Sequence, residues 1–126
     1  MPATFQIINE RVSVIKYGEP LLASDMDRSS AELTAYAETA SQPILVIADY
    51  TQIRHLSTSL ISVGLRPGNA NPLRNPVIKK IVVIAYLPVV HNLASVVSNI
   101  LGIEKLVVVR TQAHVEREIE KFLQQG

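Results

Sequence analysis

The chain has 126 residues, no cysteine and a formal charge of +1, from 12 basic and 11 acidic side chains. That length suits one domain able to bury roughly 65% of its unfolded surface, and 48% apolar against 18% charged residues argues for folding over disorder. Disulfides, thiolate zinc sites and cysteine nucleophiles are excluded. Near-neutrality, with four tyrosines, two phenylalanines and no tryptophan, argues against a nucleic-acid binder of the bulk electrostatic or base-stacking kind.

In chain order, Thr4 to Ile8 and Val12 to Tyr17 read as strands joined by a turn through Asn9-Glu10-Arg11. Gly18-Glu19-Pro20 breaks the run. Ser24, followed by Asp25 and Asp27, reads as a helix start, because first-turn carboxylates complement the dipole. Met26, Ser30, Leu33, Ala37 and Ala40 keep helical spacing to about residues 39–41. Ile44 to Ala48 is a continuous apolar run of the kind a buried parallel strand shows. Leu56 to Leu65 reads as a second helix and Ile78 to Tyr86 as the next strand. Segment 66–77, rich in Pro, Asn and Gly, reads as a long surface loop.

Pro88 suits a first helical position and Gly102 a C-terminal cap, with Val89, Leu93, Val96, Val97, Ile100 and Leu101 as the inward face. The outward set is then His91, Asn92, Ser95, Ser98 and Asn99. A neutral outer face is unusual, and it reads either as an interface or as a helix tucked under the loop. Leu106 to Val109 is the last strand. Thr111 caps a final helix burying Val115, Ile119, Phe122 and Leu123, with Glu118 and Lys121 paired outside. The order β-β-α-β-α-β-α-β-α implies a single α/β domain over 1–126 with a mostly parallel sheet and helices packed on it. No charged side chain occurs from Ile81 to Ile103, a length able to span a bilayer, yet polar residues and Pro88 interrupt it as in a strand followed by an amphipathic helix. With no secretory signal at the N-terminus, no membrane span and a cytoplasmic location are expected.

Catalytic signatures are sparse. No glycine-rich phosphate loop and no hydrolase elbow follows any strand, and His55, His91 and His114 lack ligand spacing, so no enzyme, metal or cofactor is expected. Asp49, His55 and Ser57 or Ser59 would make a triad on paper only. Asp49 closes a strand at the sheet edge where ligands bind in open parallel sheets, or is simply a turn aspartate. Ser57, Thr58 and Ser59 open the second helix, where hydroxyls cap amides or where a phosphate is welcome.

Val12 to Glu19, Ile44 to Asp49, Ser57-Thr58-Ser59, and Lys80 to Gly102 together resemble the STAS domain, the sulfate-transporter and anti-sigma-factor-antagonist family with its lipid-binding-like relatives. The resemblance implies a non-enzymatic regulatory or protein-interaction module, with Thr58 at the position of the antagonists' phosphorylated hydroxyl. That phospho-switch is degraded here: Ser57 stands where the family carries aspartate and Leu60 where it carries a small glycine. A protein partner or a second copy of the chain is expected. The alternative is a small-molecule or lipid-like binding domain, holding an anionic or apolar ligand between the 66–80 loop and the edge by Asp49.

Charge is unevenly placed. Seven acids (Glu10, Glu19, Asp25, Asp27, Glu32, Glu38, Asp49) face three bases (Arg11, Lys16, Arg28) in residues 1–50, and no acid follows until Glu104. Arg54, Arg66, Arg74, Lys79 and Lys80 are therefore expected to flank the hydroxyl helix and the loop as a local anion or acidic-partner site, or as a solvated surface.

Overall fold

In the computed structural model, residues 4–55, 65, 68 and 71–125 are described. Two strands, β1 (Thr4–Asn9) and β2 (Val12–Lys16), form a hairpin, and α1 (Ala23–Thr39) leads to β3 (Ile44–Asp49). Then follow β4 (Ile78–Ile84), α2 (Pro88–Leu101), β5 (Leu106–Val109) and α3 (Gln112–Gln124). The strands lie side by side in chain order, β1 antiparallel to β2 and the remaining pairs parallel. This is the expected mixed, mostly parallel α/β sheet. The expected helix 56–65 lies almost wholly outside the described residues.

The three central strands are apolar because both their faces are covered. Ile15, Val46, Ile81 and Val83 share one cluster with Leu33 and Ala37 of α1 and Val90 of α2. Val14, Leu45, Ile47 and Val82 share the other with Val115 and Phe122 of α3. Sequential strand order with crossovers of one hand puts the crossover helices on one face. Among the described helices, α1 and α2 pack on one face and α3, which follows the last strand, packs on the other.

Register shifts in the β1–β2 hairpin between Ile7 and Asn9, and once among the parallel pairs, between β3 and β4, where it decides which face each lysine takes. Ile44 pairs with Ile78 but Leu45 pairs with Lys80, so Lys79 is one residue extra in β4. A bulge of this kind re-aims the side chains beside it. It lets Ile78 and Ile81, three residues apart, pack on the same face. Lys79 is left exposed and Lys80 points to the α3 face.

Local signals hold in most elements. Asn9 Oδ1 accepts the Arg11 amide at 2.9 Å in the hairpin turn, and the Tyr36 hydroxyl donates to the Glu10 carbonyl at 2.7 Å, tying the turn to α1. Pro88 opens α2, and Gly102 closes it at φ 65°, a left-handed conformation suited to glycine. Thr111 caps α3 through the His114 amide at 3.1 Å.

Three expectations need correction. α1 begins one residue before Ser24, after Leu22 and without a side-chain cap. Its tightest-buried residues are Ser29, Leu33 and Ala37, because Ser29 meets the Tyr17 hydroxyl at 3.1 Å. In α2 the buried residues are Val90 and Val97, whereas Val96 and Ile100 are 42% and 60% exposed. His91 and Ser98 are half-buried, leaving Asn92, Ser95 and Asn99 as the exposed part of the predicted neutral face. In α3, Glu118 is buried and Leu123 is exposed.

Leu45, fully buried between sheet and α3, and Leu123, at the rim, separate core from surface. Leu45→Ala is expected to destabilise the fold by about 3 kcal/mol and Leu123→Ala by less than about 1 kcal/mol. Urea denaturation midpoints at unchanged slope check both values.

Candidate functional site

The predicted cation cluster divides among three places. Arg54 and His55 follow β3 at the C-terminal edge of the sheet, where Glu19 Oε1 accepts both their backbone amides, that of His55 at 3.0 Å. These two hydrogen bonds hold the Glu19 carboxyl below its ordinary range. Asp49, on the same edge, accepts the Thr51 amide at 2.9 Å and its hydroxyl at 2.6 Å. That is a local turn closed by its own aspartate. The carboxylates by which a base or nucleophile would be recognised are therefore engaged with nearby backbone. On the same side, Tyr17 and Tyr50 pack with ring centroids 4.8 Å apart, and burial raises the pKa of both hydroxyls, well above the ordinary value for Tyr50. Ser57, Thr58, Ser59 and Arg66 lie outside the described residues.

Lys80 belongs to a different site from its neighbour. Its Nζ lies 2.7 Å from Glu118 Oε2, and His114 Nε2 lies 3.6 Å from the other carboxylate oxygen, one helical turn before it. The Glu118 side chain is 7% exposed. The hydrogen bond from Lys80 holds its carboxyl below the ordinary range, against burial, with the charges of Lys80, Lys121 and His114 adding. The sequence pairing of Glu118 with Lys121 on the outside is thus replaced by a bridge from helix to sheet.

Arg74 and Lys79 are brought together at the opposite, N-terminal end of β4 and β5. They border a cleft of about 520 Å³ whose apolar wall is Leu73, Ile78, Leu101 and Ile103. Lys105, which the sequence reading passed over, joins them, with Glu104 as the acid among the lining residues. Lys105 Nζ donates to the carbonyls of Asn75 at 2.9 Å and Ile78 at 3.0 Å, strapping the loop to the start of β5. This cleft borders the 66–80 loop at the end of the strands opposite Asp49, because that loop returns the chain to where β4 begins. The pocket expected between that loop and the edge by Asp49 falls partly on residues outside those described.

The part of segment 66–77 that is described is built rather than loose. Asn71 and Asn75 are buried, and their Oδ1 atoms accept the amides of Leu73 at 3.1 Å and Val77 at 3.0 Å. Asn at these places signals turns, which the composition of the segment already suggested. No group of three metal-ligating side chains occurs among the described residues, and no described helix is long and apolar enough to cross a membrane. No protein-family model, curated protein or solved structure matches the chain.

Glu118→Gln leaves Lys80 facing a neutral amide and is expected to cost about 2 kcal/mol, between exposed and buried ion pairs. Because the folded pKa of Glu118 is lowered, its contribution is full above the ordinary glutamate value of about 4.3 and is lost as pH falls through the folded value. The stability gap between the two proteins should therefore be widest near neutral pH and close in acid, as read from urea titrations at several pH values.

Proposed function

We propose that the chain is a non-enzymatic, STAS-like regulatory module that works by protein contact, and that the contact is a homodimer formed through α2. The observation that carries the contact is the uncharged exposed face of that helix. Val96 and Ile100, one turn apart, are exposed on a segment without a charged side chain from Ile81 to Ile103. Asn92, Ser95 and Asn99 surround them with neutral polar groups. A symmetric dimer places each patch against its own copy, so a charged patch would meet like charge. This face carries no such penalty, and its centre has the charge depletion of an interface core.

The reading as a binding module draws further support from the C-terminal sheet edge, where Asp49 and Glu19 serve backbone amides. Its regulatory part rests on the sequence resemblance at Ser57-Thr58-Ser59.

Light scattering across a concentration series should give twice the chain mass for the wild type. Ile100→Glu puts a carboxylate on each side of the symmetric contact and should weaken the dimer by on the order of 100-fold or more. Its circular dichroism should be unchanged. A wild-type chain that stays monomeric at every concentration, or an Ile100→Glu dimer as tight as the wild type, would sink the assignment.

A further inference from the structure

We infer that the cleft at the N-terminal ends of β4 and β5 is a binding site for an organic phosphate, with Lys79, Lys105 and Arg74 on the phosphate and the apolar wall against the organic group. This site lies at the opposite end of the strands from Asp49, and it does not depend on how α2 pairs.

The cleft's volume of about 520 Å³ falls within the range of small-molecule pockets. Three cations and Glu104 border it, a net local charge of 3 − 1 = +2. That matches a phosphate monoester dianion. Lys79 stands here because the bulge turns it away from the face that Lys80 serves. Lys105 is fixed: two of its three ammonium donors are held by the carbonyls of Asn75 and Ile78. Among the described ion pairs, none joins Lys79 or Lys105 to a carboxylate.

The electrostatic consequence is a strained pair of cations. Burial, and then the charge of nearby Lys79, lower the pKa of the Lys105 ammonium. A bound anion removes that repulsion, and the half-buried position strengthens its attraction over that of a solvated lysine. The organic part of the ligand is argued from the half-buried Leu73, Leu101 and Ile103, which a bare phosphate would leave uncovered.

The test is calorimetric titration of the full chain with phenyl phosphate, inorganic phosphate and phenol at fixed ionic strength. Phenyl phosphate should bind about tenfold or more tightly than either of the others. The double variant Arg74→Gln with Lys79→Gln, whose side chains are exposed, should fold normally and lose at least about tenfold in phenyl phosphate affinity. Lys105→Met is a second variant, read only if its unfolding transition stays cooperative. No heat from phenyl phosphate at millimolar concentration, or an affinity unmoved by the double variant, overturns the site. Equal affinity for inorganic phosphate overturns the organic group. Because the titration reads the same cleft in a monomer or a dimer, its failure is separate from failure of the α2 contact.

Discussion

One extra residue in β4 governs how this molecule distributes its charge. Side chains of a strand alternate between two faces, so consecutive lysines at 79 and 80 are bound to part company. The bulge decides which goes where. With Leu45 paired to Lys80, Lys80 lies on the face that α3 covers and finds Glu118 there. Lys79 is released to the solvent side beside the cleft. The same insertion keeps Ile78 and Ile81 in one apolar cluster. A strict alternation over these residues would bury a lysine against α1 and α2, or expel an isoleucine.

From that register follows a molecule whose ends differ. At the C-terminal edge, Glu19 and Asp49 accept backbone amides, and the buried Tyr17 packs against the half-buried Tyr50. At the N-terminal edge, Lys105 ties the loop to β5 through two carbonyls and leaves a positively charged cleft. Between them α2 carries no charge at all. Each leaves a surface of different character.

Much of the architecture was legible in local sequence. The apolar runs 44–48 and 106–109 could bury both faces only in a covered parallel sheet, and Pro88, Gly102 and Thr111 mark helix ends by their own backbone preferences. The inward side of α2 was harder to read. Val89, Leu93, Val96, Val97, Ile100 and Leu101 cover more of the helix than one contact can bury. Packing against β5 selects the stripe through Val90 and Val97, leaving Val96 and Ile100 outside. An amphipathic period names a stripe only when one side is polar, and α2 is apolar or neutral all round.

The sites divide in the same way. By itself, the sequence determined the acid-free stretch between Asp49 and Glu104, the missing catalytic motifs and the lack of charge along α2, since composition and order need no coordinates. It also marked Asp49 as a strand-end residue. Tertiary structure decided the rest: Lys105 joining Arg74 and Lys79, Lys80 and Glu118 meeting across the sheet, and Arg54 lying at the far end. Those relations depend on strand register and on which face each helix covers. A single shifted residue reverses the face of every side chain beyond it, and no local pattern records where that shift falls.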